Sequence, residues 1–449
     1  MNLKLDARPR RTNHPGSPDQ YSDAMPPSAR KKAKPTADAV SGTFSANTKL
    51  PVHRWFRYSA GFSADWVRLV LEAHPQATRV LDPFVGSGTV LIEAEKLGRM
   101  AVGIESHPLV SRIAAAKLAW RCDAQIFRAL ASEIAERAAQ LAPTSLVEDS
   151  KLLDKCFTPE ARKELVALKM ALDAHGNHDD DAWRLCWLAF LSIIRESSFV
   201  GTAQWQYVLP NRRKARVVTP IAGFLSKVAV FSRDIESMQP YVRSPAAKVA
   251  AIDARKAVAV PGGWADLVIT SPPYANNYDY ADATRLELSV LGEIATWSDL
   301  QGSIRPNLVR ACTQHVASQA GLLEETLASA KLAPISKELA AVVRELDILK
   351  ESKGGKKPYH LMLACYFFDL AEVFAQLRQQ VATGGRMCFV IGDSAPYGVH
   401  APVDRWLGEL AVHAGFESFY FEKIRDRNMK WKNRKHRVPL HEGRLWIEG

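Results

Sequence analysis

The chain has 449 residues, 47% of them hydrophobic, which suits one large domain with insertions or two to three domains. Its six cysteines are scattered without a Cys-x-x-Cys pair, which argues against a disulfide framework or a zinc knuckle and favours a reducing cytoplasm. No apolar run approaches the ~20 residues that span a membrane, and the N-terminus lacks the apolar stretch of a signal peptide. We therefore expect a cytoplasmic protein without a membrane partner.

The net charge of +11 is concentrated at the two ends of the chain. Residues 1–50 hold nine Lys and Arg against four Asp, and residues 423–437 hold eight against one. The remainder is close to neutral, so the ends suit a polyanionic partner, although a solvated surface would give the same pattern. The candidate nucleic-acid contacts are Lys430, Lys432, Arg434 and Lys435, and, less specifically, Arg212 and Arg213.

The hydrophobic pattern predicts an α/β fold with a mostly parallel sheet and two helical insertions. Short apolar runs predict strands at 78–81, 100–104, 248–252, 266–270 and 387–391, and a closing antiparallel pair at 416–421 and 445–447. The predicted organisation is a disordered tail at 1–48, sheet segments at 49–106, 246–280 and 358–449, and helical insertions at 107–245 and 281–357.

The first motif that carries chemistry is Val80-Leu81-Asp82-Pro83-Phe84-Val85-Gly86-Ser87-Gly88-Thr89. A strand leads into a turn with two glycines and then into a helix, so backbone N–H groups can approach a ligand closely. The segment lacks the third glycine of the dinucleotide fingerprint and the Gly-Lys-Ser/Thr of a phosphate loop, which disfavours a pyrophosphate ligand. Taken alone, it would also suit an ordinary strand-to-helix turn.

Two carboxylates follow the next predicted strands. Glu105 ends the second strand, where a carboxylate can accept both hydroxyls of a ribose. Asp253 has the same relative place after the third strand and is a candidate acceptor for an adenine amine. An exposed strand-end acid is the alternative for both, and it is the stronger alternative for Asp253.

The most specific motif is the apolar strand that ends in Ser271-Pro272-Pro273-Tyr274. Two prolines remove two N–H donors and fix the backbone, so carbonyl oxygens are left without local partners. A Ser hydroxyl and the Pro272 carbonyl can then accept from one –NH₂ group, and the Tyr274 ring can stack on a planar base. A simple turn is the alternative, but it is disfavoured downstream of the first motif.

These residues together resemble the amino-methylating DNA methyltransferases, which use S-adenosylmethionine and have a class I (Rossmann-like) sheet. The resemblance covers roughly 50–106, 247–280 and 358–449, and the long insertion after the second strand departs from it. It implies that the cofactor is held by Asp82, Pro83, Phe84, Gly86, Gly88, Thr89, Glu105 and Asp253. It implies that the catalytic loop is Ser271, Pro272, Pro273 and Tyr274, with double-stranded DNA as the partner.

Four functions remain open at this stage. The leading one is an N4-cytosine DNA methyltransferase, because the family more often pairs an initial Ser with cytosine; such an enzyme could belong to a restriction or defence system. The alternatives are an N6-adenine DNA methyltransferase, an N2-guanine RNA methyltransferase and a non-catalytic nucleic-acid-binding protein. Ring-carbon methylation is excluded because it needs a cysteine nucleophile after a proline, and the chain has no Pro-Cys dipeptide. The histidines form no ligand motif, so we expect no metal.

Overall fold

Seven strands form one twisted sheet in the computed structural model, which describes residues 44–58, 61, 63–141, 150–201, 208–276, 278–352, 354, 357–427 and 438–449. The strands, in chain order, are β1 (Arg79–Asp82), β2 (Met100–Ile104), β3 (Val200–Gly201), β4 (Leu209–Arg213), β5 (Lys248–Ala250), β6 (Ala265–Thr270), β7 (Val381–Gly392), β8 (Ser418–Arg427) and β9 (Leu440–Glu448). The sheet order is β5-β2-β1-β6-β7-β9-β8, and β3 and β4 form a separate antiparallel ribbon.

The sheet is parallel from β5 to β7, and β9 runs antiparallel to both β7 and β8. This arrangement confirms the predicted Rossmann-like methyltransferase sheet with its closing antiparallel pair. In the register, Asp82 pairs with Gly103 of β2, while Val80 pairs with Leu267 of β6. Because parallel strands share one carboxyl edge, the chain segments that follow β1, β2 and β6 meet there.

Three strands extend further than their apolar runs predict. β7 begins at Val381, six residues before the predicted start, and β9 begins at Leu440, five residues before its predicted start. β8 continues to Arg427 in the basic segment. β8 lies at the edge of the sheet, where polar side chains are tolerated and oppose the charges of β9. Arg425 of β8 bonds Glu442 and Glu422 of β8 bonds Arg444, so cross-strand ion pairs replace apolar contacts there.

Helices cover both faces of the sheet and fill both predicted insertions. The α-helices are Ala64–Ala73, Thr89–Lys96, Pro108–Leu118, Ala124–Gln140, Lys151–Cys156, Pro159–Asp173, Asp181–Ser197, Pro220–Met238, Tyr280–Ala283, Arg285–Leu291, Asp299–Ser303, Leu323–Leu327, Ser336–Ser352, Tyr359–Gln380 and Val403–His413. The 3₁₀ helices are Phe44–Lys49, His53–Trp55, Ala119–Arg121, Gln239–Tyr241, Arg305–Asn307, Thr313–Val316, Ala320–Leu322, Ala330–Ile335 and Pro396–Gly398. The domain boundaries themselves stay predictions.

Strand alternation divides the core between the two faces. Val80 and Leu267 pack with helices Ala64–Ala73 and Thr89–Lys96, whereas Leu81 and Val268 face the helices after residue 330. The helices of the first insertion form a third cluster of buried side chains together with Trp55, Phe56 and Tyr58 of the N-terminal segment.

Helix Tyr359–Gln380 lies in the second of these clusters, against the sheet. It is long and apolar enough to cross a membrane by length and composition, but 72% of its most apolar window is buried inside the protein. Its apolarity is therefore accounted for by packing in the core.

The predicted disordered tail is wrong for residues 44–48, while residues 1–43 lie outside the described part of the chain. Phe44–Lys49 forms a 3₁₀ helix, and its Asn47 is buried. The Asn47 side chain accepts a hydrogen bond from the Ala64 N–H (2.9 Å) at the start of the next helix. A polar residue thus orders a segment whose composition alone is that of a tail.

The close packing of β2 against the turn after β1 gives a stability prediction. A Cβ atom on Gly103 would lie 2.5 Å from Val85 Cγ2 and 3.0 Å from Leu91 Cδ1. We expect Gly103→Ala to lower the free energy of unfolding by about 1–3 kcal/mol, since the buried neighbours must shift. Gly302→Ala is the control, because its Cβ meets nothing within 4 Å. Equal stability of the two variants in urea unfolding would contradict this packing.

Candidate active site

The turn after β1 is shaped by two glycines in left-handed conformations. Gly86 has φ +52°, and a Cβ there would lie 2.9 Å from the Tyr58 ring. Gly88 has φ +88° and is the N-cap of helix Thr89–Lys96. Only glycine adopts these angles without strain, so the turn stays narrow and presents its backbone to the space beneath Tyr58.

Asp82 joins this turn to the end of β6. Its Oδ1 accepts hydrogen bonds from the Phe84 N–H (3.1 Å) and the Thr270 hydroxyl (2.6 Å), and the residue is 1% exposed. Burial raises the pKa of the Asp82 carboxyl to about 7, against the lowering effect of these two bonds. A second acid nearby, Glu105, raises it further. The site therefore holds a carboxyl group that ionises near neutral pH.

Glu105 faces the same turn from the end of β2. Its carboxylate accepts hydrogen bonds from the Gly86 N–H (3.0 Å) and the His107 N–H (2.9 Å). Burial raises its pKa to about 7, although the backbone donors of His107, Gly86 and Ser106 act in the opposite direction. Each carboxylate oxygen has two lone pairs, so the group can accept further hydrogen bonds from a ligand.

His107 is held neutral beside Glu105. Its Nδ1 accepts from the Leu109 N–H (3.2 Å), so the proton is on Nε2, which donates to the Thr284 hydroxyl (3.0 Å). Burial lowers the pKa of His107 to about 3. The ring thereby caps helix Pro108–Leu118 and contributes no positive charge to the site.

The predicted catalytic loop begins directly after Thr270. The Ser271 hydroxyl donates to the Val390 carbonyl of β7 (3.2 Å) and also contacts the Tyr274 hydroxyl, so its oxygen can act as an acceptor. Tyr274 lies beneath Arg427 of β8, whose guanidinium carbon is 5.1 Å from the ring centroid. Arg427 also donates to the Asp393 carbonyl (2.8 Å), so one face of the Tyr274 ring is supported by a fixed cation.

A cleft with about 690 Å³ of empty volume brings both motifs together. It is lined by Tyr58, Gly61, Asp82, Phe84, Val85, Gly86, Ser87, Thr89, Glu105, Ser106, His107, Val110, Ser271, Pro273, Tyr280 and Leu308. The predicted site residues in this lining are Asp82, Phe84, Gly86, Thr89, Glu105, Ser271 and Pro273. The other five, Pro83, Gly88, Pro272, Tyr274 and Asp253, are not among the described residues that line it.

Asp253 is engaged elsewhere. Its carboxylate accepts from Arg255 Nε (2.9 Å) and Nη2 (2.7 Å), and Arg255 in turn donates to Asp369 (3.0 Å). Arg255 follows Asp253 by two residues, yet the sequence carries no signal that the two side chains pair. Its assignment as a cofactor ligand stays a prediction that requires this ion pair to open or to share an oxygen.

The predicted nucleic-acid contacts are only partly described. Arg212 and Arg213 are exposed on the β3–β4 ribbon, and Arg213 lies over the Phe199 ring at 4.7 Å. Lys430, Lys432, Arg434 and Lys435 lie outside the described residues. Arg427 lies within the basic segment 423–437, and the structure packs it on Tyr274.

Several lining residues were missed from the sequence. Tyr280 ends the predicted sheet segment 246–280 and Leu308 belongs to the second insertion, and no motif marks either residue. Tyr58 belongs to the aromatic N-terminal segment before the first α-helix, and its role at the cleft is not marked by a specific motif. Ser106 and His107 follow Glu105 directly and could have been inferred from that adjacency.

Comparisons with known proteins agree with this geometry. A DNA methylase family model matches residues 34–116, which contain the turn after β1 and Glu105. The chain is 24% identical to the Type II methyltransferase M.BsoBI of Geobacillus stearothermophilus over 435 residues, covering 86% of this chain and 82% of that protein. It is 23% identical to the Type II methyltransferase M.AvaI of a Nostoc species over 399 residues, covering 83% and 81%. A shorter match, 24% over 287 residues and 58% of this chain, is to the Type II methyltransferase M.MvaI of Kocuria varians.

The cofactor-type turn, the Ser-Pro-Pro-Tyr loop on the neighbouring strand and these matches point the same way. The chain is similar to the DNA amino-methyltransferases of the N4-cytosine and N6-adenine family.

Proposed function

We propose that this protein transfers the methyl group of S-adenosylmethionine to the exocyclic amine of a base flipped out of double-stranded DNA, and that the base is cytosine, methylated at N4. The observation that carries the proposal is the Thr270–Asp82 hydrogen bond (2.6 Å). It ties the cofactor turn to the residue before Ser271, so the donor cleft and the amine acceptors share one rigid edge of the sheet.

The residues of the cleft fit S-adenosylmethionine. Glu105 offers carboxylate oxygens to a ribose diol, and Asp82 offers a negative charge to an ammonium group. Phe84 and Tyr58 supply aromatic surface for the adenine ring. When bound, this cofactor supplies an electrophilic methyl group on a sulfonium, so neither a metal nor a covalent enzyme intermediate is required.

The catalytic loop would act on the amine by accepting hydrogen bonds from its two N–H groups. The amine lone pair is conjugated into the base and is a poor nucleophile. Hydrogen bonds to Ser271 Oγ and to the Pro272 carbonyl would draw the nitrogen towards tetrahedral geometry and free its lone pair for attack. The N–C bond would form as the methyl–sulfur bond breaks and leaves a neutral thioether, and the methylated amine would then release one proton to solvent. Because the Ser271 hydroxyl donates its hydrogen bond to the Val390 carbonyl, its oxygen is oriented as an acceptor before the base arrives.

The base must leave the duplex to reach this loop. Arg427 covers one face of Tyr274, so the opposite face would stack on the flipped base. Lys430, Lys432, Arg434 and Lys435 follow Arg427 closely in the chain, which supports a role in holding the backbone beside the extruded base. Because three similar proteins are named as Type II methyltransferases, we propose a restriction–modification system as the biological setting.

The buried Glu105 carboxylate gives two effects of opposite sign. Its pKa lies above that of an exposed Glu, so the folded protein loses stability as pH rises from about 4.5 through 7. We expect Glu105→Gln to unfold at a higher temperature than wild type at pH 8 without ligand, and to lose that advantage below pH 4.5. It should also weaken cofactor binding by about 1.5–3 kcal/mol, since a charged acceptor is removed. Calorimetry measures both.

Glu72→Gln is the control for this variant, because Glu72 is exposed and pairs with Arg68 across one helical turn. Unchanged cofactor affinity in Glu105→Gln would remove Glu105 from the binding site.

The basic segment gives a salt-dependence prediction. Replacing Lys430, Lys432, Arg434 and Lys435 together by Gln should flatten the plot of log affinity for DNA against log salt. Each lost phosphate contact should lower the slope by ~0.9. The matched control replaces Lys331, Lys337, Arg344 and Lys350, which lie on the second insertion, and should leave the slope unchanged. A wild-type slope in the first variant would make the segment a solvated surface.

The base assignment is tested by the product. A neutral Ser hydroxyl is a weaker acceptor than the Asp that starts the loop in many family members, and an initial Ser resembles the N4-cytosine enzymes. Nucleoside mass spectrometry of modified DNA should show N4-methylcytosine. Ser271→Ala should reduce kcat much more than cofactor affinity, because the lost acceptor acts mainly at the transition state. Detection of N6-methyladenine alone would overturn the base while leaving the donor site intact.

A further inference from the structure

A buried ionic cluster lies at the C-terminal end of the catalytic loop, which is taken from here on together with the residues that follow it, as 271–276 and 278–280. Asp279, which is 3% exposed, accepts hydrogen bonds at Oδ2 from Arg305 Nη2 (2.6 Å) and Nε (3.2 Å). Its Oδ1 lies 3.3 Å from His315 Nε2, and His315 Nδ1 lies 3.0 Å from the Val309 carbonyl. The side chains of Arg305 and His315 are 1% and 0% exposed. No residue of this cluster was singled out from the sequence.

The cluster holds the loop at two points. Asp279 caps helix Tyr280–Ala283 by accepting from the Ala281 N–H (3.2 Å) and the Asp282 N–H (3.4 Å). Upstream, the Asn276 N–H donates to the Ala311 carbonyl (2.8 Å). Asn276 has φ +59°, a left-handed backbone conformation whose cost must be offset by contacts with neighbouring residues. The segment 304–316 is therefore hydrogen-bonded to the catalytic loop at both of these points.

Residues beside these contacts also line the cleft. Tyr280 follows Asp279 directly and lines the cleft, and Leu308 of the segment 304–316 lines it as well. Displacement of Asp279 would move Tyr280 and the Pro273–Tyr274 turn relative to Asp82 and Glu105. In a transfer reaction, the distance from the methyl donor to the accepting nitrogen depends on how the loop is placed relative to these two carboxylates. A shift of about 1 Å can lower the rate about 100-fold.

We propose that Arg305 and His315 are positioning residues for methyl transfer, which hold the catalytic loop in register with the donor cleft through Asp279. This inference rests on the proposed function, because it assigns a role only relative to the reaction at Ser271. Neither side chain touches the reacting atoms.

The charge state of the cluster makes the role measurable. Burial by itself lowers the pKa of His315, but hydrogen bonds to Asp279 and Cys312 and their charge outweigh it and raise the pKa to about 9. Burial likewise raises the pKa of Asp279, but His315 and Arg305 outweigh it and bring the pKa to about 2. At neutral pH, His315 is therefore an imidazolium that donates from both ring nitrogens.

Besides Asp279 and Cys312, six other charged groups face His315. They line the same cleft as His315 and are Arg255, Lys256, Arg305, Arg310, Asp369 and Glu372. Asp279, Cys312 and His315 are also close enough to ligate one cation. Arg305 already supplies the positive charge at this carboxylate, so we interpret the cluster as an ion-pair network.

A rise in pH through about 9 removes one proton from His315, after which one of its two hydrogen bonds loses its donor. The raised pKa means that this stabilisation is complete below about 6.5 and is lost as pH passes 9. Wild-type kcat should therefore fall on the alkaline side with a midpoint near 9.

The test measures kcat, KM for DNA and cofactor affinity for three variants between pH 7 and 10. Arg305→Ala should lower kcat by about 100-fold with little change in cofactor affinity, as expected for displaced geometry. Arg305→Lys should recover part of that loss, because it keeps the charge but not the forked donor geometry. His315→Gln, which keeps one N–H donor towards Asp279, should lose the alkaline fall in kcat near pH 9.

Arg121→Ala is the matched control. It breaks another arginine–carboxylate pair, with Glu95, in which the carboxylate is fully buried, but it touches no residue of the catalytic loop. It should lower the unfolding temperature and leave kcat per folded molecule and its pH profile unchanged. Cofactor titration gives the folded fraction for every variant.

Two results overturn the inference. One is a kcat of Arg305→Ala that equals the kcat of the wild type. The other is a loss of kcat in both Arg305→Ala and the control that tracks the unfolded fraction, with the alkaline fall retained in His315→Gln. Absence of methyl transfer by the wild type would overturn the proposed function and this inference together, so the two failures are distinguishable.

Discussion

The site depends on one buried hydrogen bond, from the Thr270 hydroxyl to Asp82 Oδ1 (2.6 Å). These residues are 188 positions apart in the chain and end adjacent parallel strands. The bond therefore converts sheet register into the geometry of the candidate site, since it ties the turn that lines the cleft to the residue before Ser271. Its acceptor is a carboxyl group whose pKa burial raises to about 7. The strength of this connection consequently depends on how far the acid is ionised.

Contacts on both sides of the sheet support the segments at this edge. Lys117 is fully buried and donates to the carbonyls of His53 (3.2 Å) and Phe56 (3.4 Å), which anchors the segment that places Tyr58 over Gly86. Burial lowers the pKa of Lys117 to about 7, so the amine is only partly charged at neutral pH. On the opposite side, Arg427 braces Tyr274, and the Asp279 cluster braces the rest of the loop. Both insertions thus take part in shaping the site.

The sequence predicted features that are local and missed those that depend on contacts across long chain separations. Strand ends at Asp82, Glu105 and Thr270 could be predicted because apolar runs and glycines mark them within ten residues. The pairing of Arg305 and His315 with Asp279 could not, because each residue taken alone resembles an ordinary surface charge. Asp253 illustrates the converse: its strand-end position suggested a ligand, but the partner two residues away engages its carboxylate. Residues 44–48 resembled a tail because the order there comes from one buried side chain, Asn47.

The most direct measurement of the account is transfer of a tritiated methyl group from S-adenosylmethionine to double-stranded DNA by the wild type and by Ser271→Ala, with the product identified by nucleoside mass spectrometry. We expect label in wild-type DNA as N4-methylcytosine, and a large loss of turnover in Ser271→Ala with cofactor affinity retained. Undiminished turnover in Ser271→Ala, or label in RNA but not in DNA, would contradict the assignment of this loop as the site of DNA methylation.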